Sequence, residues 1–180
     1  KHTGTFGLLG ILSFNGNKII TTGGGGMILT DNEELAIRAK HLSTTAKKPH
    51  AYEFYHDQVG FNYRLPNLNA ALGLAQFEKL EKYLLDKKTL ANAYKNFFVD
   101  TPFVFQDERN GVIANCWLNS ILVKDLNERE VFLRDSLQRK IHCRPIWQLN
   151  SNLPAFKNCY RDDLSVSQNL ASRLINLPSS

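Results

Sequence analysis

The chain is poor in residues that announce specialised architecture. It holds one methionine, two tryptophans and three cysteines in 180 residues. Cys116, Cys143 and Cys159 are odd in number and widely spaced, with no Cys-x-x-Cys pair. That spacing fits reduced thiols in a cytoplasmic protein better than a disulfide framework or a zinc site. His41, His56 and His142 are not spaced as a ligand cluster either, so no metal is expected. No apolar run approaches the ~18 residues that a membrane span needs. One-sided charge is also missing: 22 Lys+Arg stand against 17 Asp+Glu, a net charge of +5. The basic residues are dispersed among acids, as in Lys79-Leu80-Glu81-Lys82 and Glu128-Arg129-Glu130. Nucleic-acid binders show a basic stripe instead, so neither nucleic acid nor membrane is an expected partner. Hydrophobic residues make up 43% and charged residues 22%, which excludes disorder and fibrous classes. The length allows one domain, or one and part of another. The first residues, Lys1-His2-Thr3-Gly4, show neither an initiator Met nor a signal-peptide pattern.

What is present reads as alternating elements. Residues 6–14 are apolar with two glycines and predict a buried loop running into a strand. Residues 27–30 predict a strand that ends at a helix start. There Thr30 and Glu33 have capping-box spacing, and Leu35, Ala36, Ala39 and Leu42 give the helix an apolar face. Residues 43–65 have no period and read as a long loop, a class usually functional or disordered. Pro66 then opens a pattern of Leu68, Ala71, Leu72, Ala75 and Leu80 at three- and four-residue steps, continuing through Tyr83, Leu84, Leu90 and Tyr94. One helix over 66–97 would span ~45 Å and bridge two domains, 1–82 and 83–180. Further on, 117–123 and 141–147 read as strands. Residues 127–140 and 165–174 read as helices, boxed by Asn127 with Glu130 and by Ser165 with Gln168.

Two neighbouring features could carry chemistry. Gly23 to Gly26 could cradle an anion on backbone N–H groups, or could simply permit positive φ and close packing. The run is not a Walker loop, because no Lys-Ser or Lys-Thr follows it. It is not a strand–helix turn either, because residues 27–29 read as a strand. Lys18 follows an apolar strand and the turn Asn15-Gly16-Asn17. A lysine in apolar surroundings is costly unless its charge is paired or its pKa falls, and such amines form Schiff bases with carbonyls. On spacing alone, a lysine at a solvent-facing turn is the plainer account of Lys18.

The segment Ser13-Phe14-Asn15-Gly16-Asn17-Lys18-Ile19-Ile20-Thr21-Thr22, with the four glycines after it, resembles the active-site segment of the DegT/StrS-type sugar-nucleotide aminotransferases. Gly60-Phe61-Asn62-Tyr63-Arg64-Leu65-Pro66, followed by Asn67-Leu68-Asn69-Ala70-Ala71-Leu72-Gly73 and Gln76, is similar to that family's Gly-x-Asn-x-Arg loop and next helix. Cys143-Arg144-Pro145-Ile146-Trp147, followed by Leu153-Pro154-Ala155-Phe156, resembles its C-terminal substrate-side segment. Three motifs in order cover most of the chain.

The resemblance implies an α/β chain of the fold-type-I, aspartate-aminotransferase-like class. It would hold part of the large cofactor domain and a small C-terminal α+β domain. The implied cofactor is pyridoxal 5'-phosphate, held as a Schiff base by Lys18. Ser13 would bind its phosphate. Asn62 would reach the phosphate in a neighbouring subunit, and Arg64 would stand at the substrate mouth of that shared site, which implies a homodimer. His142, Arg144 and Trp147 would lie on the substrate side, although Trp147 also suits a core position.

Two departures from the family pattern bear on function. Glycine at Gly24, where the family often carries Glu, resembles the branch acting on 4-keto-6-deoxy sugars linked to UDP or GDP, of the bacillosamine, legionaminic-acid and perosamine kind. Lys40-His41-Leu42-Ser43-Thr44-Thr45-Ala46-Lys47 is similar to the same branch. Lys18 argues against the dehydratase relatives, which carry His there. The implied reaction is transamination of a nucleotide-linked keto sugar, with glutamate as donor, for cell-surface or O-antigen sugars. The second departure is that residues 1–17 contain no Asp or Glu, whereas the family places an acid under the pyridine nitrogen upstream of the lysine. The expectation is therefore a C-terminal half, inactive alone. The competing expectations are a non-catalytic fragment that still dimerises and a nucleotide-sugar-binding module without chemistry.

Overall fold

In the computed structural model, residues 1–179 are described. The chain divides into two compact units, Lys1–Glu81 and Lys82–Ser180.

In the first unit a short 3-10 turn, Thr3–Thr5, precedes strand β1, Gly10–Ser13. β1 pairs antiparallel with β2, Gly26–Leu29, in the register Gly10↔Leu29 to Ser13↔Gly26. Residues 14–25 connect the two strands and fold back on themselves. Phe14 N–H donates to Gly25 O at 2.9 Å, and Thr22 N–H donates to Phe14 O at 3.1 Å. Gly25 sits at φ 138°, a conformation L side chains rarely adopt, and a Cβ there would come within 2.9 Å of Thr22 Oγ1. The segment before β1 is not the buried loop its composition predicts: Phe6, Leu8 and Leu9 are all exposed, as is Ile11 within the strand.

Helix α1, Glu33–Ser43, is capped by Asn32, whose Oδ1 accepts from Leu35 N–H at 3.0 Å. The expected Thr30–Glu33 box does not form. Thr30 Oγ1 donates to Leu8 O at 2.7 Å and accepts from Asn32 N–H, which leaves the cap to Asn32. Glu33 and Glu34 in the first turn and Lys40 and His41 in the last suit the helix dipole. Residues 43–65 have bridges of their own, Thr44↔Asn62 and Lys47↔His56.

The single helix expected over 66–97 is two helices, α2 at Asn67–Phe77 and α3 at Leu80–Phe98. The interruption needs no Pro or Gly. Glu78 remains right-handed (φ −58°, ψ −22°), but Lys79 N–H donates to Gln76 O, a three-residue step that tightens the turn. Apolar periodicity survives such a turn, so the break is invisible in the pattern. From α2, the Asn69 side chain donates to Thr22 O at 2.5 Å and ties the helix to the β1–β2 connection.

In the second unit a four-stranded antiparallel sheet has the order β3 (Val104–Phe105), β4 (Asn119–Leu122), β6 (Leu174–Leu177), β5 (Arg144–Pro145). Pro145, which has no N–H to give, stands on an edge strand as expected. Nearly all of α3, with α4 at Leu126–Gln138 and α5 at Ser165–Arg173, completes the unit. Phe98, Ile121, Val123, Ile175 and Leu177 form its core, with Tyr94, Phe103, Phe105, Phe132 and Leu133 packed around them.

Neither expected box forms: α4 is capped further upstream by Asp125, and α5 has Leu164 at its N-cap with no side-chain cap bond. Asp125 Oδ1 accepts from Glu128 N–H at 2.9 Å, while Glu128 Oε2 accepts from Lys124 N–H at 2.7 Å. Asp163 accepts from Ser165 N–H at 3.1 Å and from Ser165 Oγ–H at 2.6 Å. A carboxylate is the stronger acceptor at a positive helix end. The strand expected over 141–147 is confined to Arg144–Pro145, because Lys140 takes φ 60° and a tight turn joins Cys143 N–H to Ile141 O.

Candidate functional site

Within the first unit the glycine run, α1 and the end of the 43–65 loop enclose a groove of about 760 Å³. Gly24, Gly25 and Gly26 form one wall, and Ala36, Ala39, Lys40 and Ser43 of α1 form another. Asn62, Tyr63 and Arg64 close the third side. The α1 residues follow the i, i+3, i+4, i+7 spacing of one helix face. That face is small and carries a cation, which is the signal that a search for apolar stripes passes over. None of Leu35, Ala36, Ala39 and Leu42 is fully buried, so the expected apolar face is not covered within this unit.

The sequence-predicted residues separate into three places. Asn62 and Arg64 meet at the groove, where Arg64 Nη2–H donates to Thr44 O at 3.2 Å. Phe61 and Tyr63 flank Asn62 and stack with ring centroids 5.3 Å apart. Ser13 and Lys18 lie on the β1–β2 hairpin and are not among the groove walls. Ser13 Oγ is exposed and accepts from Asn15 N–H at 3.4 Å. Lys18 is half-buried just past the Asn15–Asn17 turn, which its own N–H closes by donating to Asn15 O at 3.0 Å.

The third place is in the second unit. His142 is exposed, and Arg144 is exposed on β5 opposite Asn176. Trp147 is 63% exposed, so it is not a core residue, and it stacks on Trp117 with centroids 6.3 Å apart. The cysteines are free thiols, and burial pushes those of Cys116 and Cys143 upward. Among the described residues no group of three His, Cys, Asp or Glu side chains could hold a metal, and no helix is long and apolar enough to cross a membrane.

One arrangement near the groove had no precedent in the motif reading. His41 Nε2–H donates to Asp57 Oδ1 at 2.7 Å, and Lys48 Nζ lies 3.8 Å from Asp57 Oδ2. The His41 hydrogen bond holds the Asp57 carboxyl below its ordinary value of 3.8, with the charges of His41 and Lys48 adding to it. The partners are sixteen residues apart across a patternless loop, so spacing alone carried no sign of them.

Comparison with known proteins agrees with this architecture. EpsN of Bacillus subtilis (strain 168) is 35% identical over 184 residues, covering 99% of this chain and 47% of EpsN. The GDP-perosamine synthase of Escherichia coli O157:H7 is 34% identical over 179 residues, covering 99% of this chain and 48% of the synthase. Among solved structures, Helicobacter pylori PseC, an aminotransferase involved in the biosynthesis of pseudoaminic acid, superposes with a TM-score of 0.91 over 99% of this chain and 49% of its own, at 24% identity. The fold is thus the α/β fold of the pyridoxal-phosphate-dependent sugar aminotransferases. The chain spans about half the length of the curated relatives it matches. The family model matches residues 1–180, and the chain belongs to the DegT/DnrJ/EryC1/StrS aminotransferase family.

Proposed function

We propose that the full-length protein moves an amino group from glutamate to the C4 ketone of a nucleotide-linked 4-keto-6-deoxy sugar, using pyridoxal 5'-phosphate. Relatives named GDP-perosamine synthase, and a Campylobacter jejuni relative named UDP-4-amino-4,6-dideoxy-N-acetyl-beta-L-altrosamine transaminase, support this substrate class. The donor set suits the cofactor: an amine at Lys18, a hydroxyl at Ser13 on the same hairpin, and an amide and a guanidinium at Asn62 and Arg64. Bound there, the cofactor supplies an electron sink for the substrate carbon.

The chain's own residues do the rest. Lys18 Nζ holds the cofactor and, once released by the incoming amine, takes a proton from the reacting carbon and returns it. Ser13 Oγ–H donates to the phosphate. Asn62 and Arg64 act in the site of a second copy of the chain. The observation that carries this shared-site reading is that the groove walled by Asn62 and Arg64 has neither Lys18 nor Ser13 in its walls. Residues 1–82 then belong to the large cofactor domain and 83–180 to the small one, with His142, Arg144 and Trp147 serving the sugar nucleotide.

The test is mass spectrometry of the full-length protein incubated with glutamate and a panel of UDP- and GDP-linked 4-keto-6-deoxy sugars. An amino sugar from one of them is the expected result. Binding of the nucleotide with no amino transfer to any member of the panel would replace the proposal with a binding module.

A further inference from the structure

Asn62 and Arg64 are exposed residues at the end of a long loop, and no hydrophobic core fixes them. Local bonds hold them instead. Tyr63 N–H donates to Ser43 O at 2.8 Å and Thr45 N–H to Phe61 O at 2.9 Å, on either side of the Thr44↔Asn62 bridge. Arg64 leans on Thr44 O. Every one of these partners belongs to, or adjoins, the turn at the end of α1. That turn is unusual, because Thr45 (φ 71°) and Ala46 (φ 50°) are both left-handed without being glycine. Such a pair persists only where its surroundings over-determine it. Ala46 is fully buried, and Gly60 packs so closely that a Cβ there would lie 2.5 Å from Ala46 N.

The surroundings that over-determine the turn come from the far side of the loop. Asp57 N–H donates to Ala46 O at 3.2 Å, and His56 Nδ1–H donates to Thr45 O at 2.7 Å. His41 grips both sides at once. Its carbonyl accepts from Ala46 N–H at 2.8 Å, and its ring donates to the Asp57 carboxylate, which Lys48 also approaches. We infer that His41 and Asp57 are positioning residues: their pair clamps the left-handed Thr45–Ala46 turn and so sets the placement of Asn62 and Arg64. The part of this inference that concerns catalysis rests on the function proposed above for Asn62 and Arg64. The clamp itself does not.

The experiment uses the full-length protein with Asp57→Asn, His41→Ala and His41→Gln, read by amide hydrogen exchange and by steady-state kinetics. Asp57→Asn keeps the shape and removes the charge-assisted bond, and His41→Gln keeps a donor. Asp57→Asn and His41→Ala are expected to lose about tenfold protection at the amides of Thr45, Ala46, Phe61 and Tyr63, with α2 and α4 unchanged. The KM for the sugar nucleotide rises about tenfold while kcat stays within about twofold, and His41→Gln recovers most of the loss. Unchanged exchange and KM in Asp57→Asn would overturn the inference. A loss of protection spread through α2 and α4 in all three variants overturns it too, in favour of a general structural role. If the wild-type protein transfers no amino group, exchange still decides the clamp, and only the assignment of Asn62 and Arg64 falls.

Discussion

The two units treat their apolar residues in opposite ways. In Lys82–Ser180, Ile121 and Ile175 are 0% exposed and sit inside a closed cluster. In Lys1–Glu81, Ala46 is the one buried hydrophobic residue among those described, while Leu68 is 83% exposed, Leu8 77% and Ile11 67%. Composition is not the cause, since the first unit is rich in Leu, Ile, Phe and Tyr. The second unit meets its own needs with a sheet and three helices, α3 nearly whole, α4 and α5. The first unit consists of a hairpin, two helices and a cross-linked loop whose apolar sides have no cover among the described residues. The proposed chemistry sits almost wholly on that uncovered unit.

The largest expected effect separates chemistry from packing. Lys18→Ala in the full-length protein should lower turnover by on the order of 10³-fold or more and remove the borohydride-trappable cofactor adduct. The melting of the second unit should not move. An intact adduct in that variant would sink the assignment of Lys18. Next comes a direct test of burial: Ile175→Ala or Ile121→Ala should cost about 2–5 kcal/mol in denaturant unfolding of the chain. Ile11→Ala in the same chain should change stability by no more than about 0.5 kcal/mol. Equal costs would break the contrast between the units.

Helix caps give a smaller, symmetrical effect. Asp125→Ala should cost about 1 kcal/mol and be felt through α4 and the sheet, whereas Asn32→Ala should fray α1 alone, by about as much. Amide exchange distinguishes the two outcomes. The smallest effect is acid sensitivity. Asp57 is held below its ordinary value of 3.8 by the His41 hydrogen bond, Asp107 by the Lys95 hydrogen bond, and Asp163 by its hydrogen bonds with Ser165. A lowered carboxyl contributes stability that is complete above its unfolded value and lost as pH falls through its folded one. Below about pH 4 the 44–63 loop should therefore loosen in step with the start of α5, read by exchange at Phe61 and Ser165. Loosening of either that begins near neutral pH would contradict these carboxyl shifts.

Family and fold were legible in the sequence because three motifs stood in order, and because strands and helices left their periods in residues 26–43 and 119–138. The elements that departed from expectation share a cause. Caps at Asn32 and Asp125, the Asp163–Ser165 bonds ahead of α5, the tight turn at Lys79 and the short β5 all depend on which of several nearby polar groups wins one hydrogen bond. Spacing rules cannot rank those competitors. In the candidate site, Asn62 and Arg64 were legible through their motif. The His41–Asp57 pair was not, because its partners meet across a loop with no period. For Trp147 only the alternative of a core position falls, since an aromatic that stacks on another aromatic at the surface has the same apolar signature as one inside.

That stacked pair has an optical consequence. The two tryptophans of the chain, Trp117 and Trp147, both lie in the second unit with ring centroids 6.3 Å apart. Excitation at the red edge of tryptophan absorption therefore illuminates that unit alone. The first unit answers only through tyrosines such as Tyr52, Tyr55 and Tyr63. A fluorescence unfolding curve of this chain would record the loss of the closed core and stay blind to the hairpin that carries Lys18, so the state of the reactive lysine has to be followed through a different chromophore.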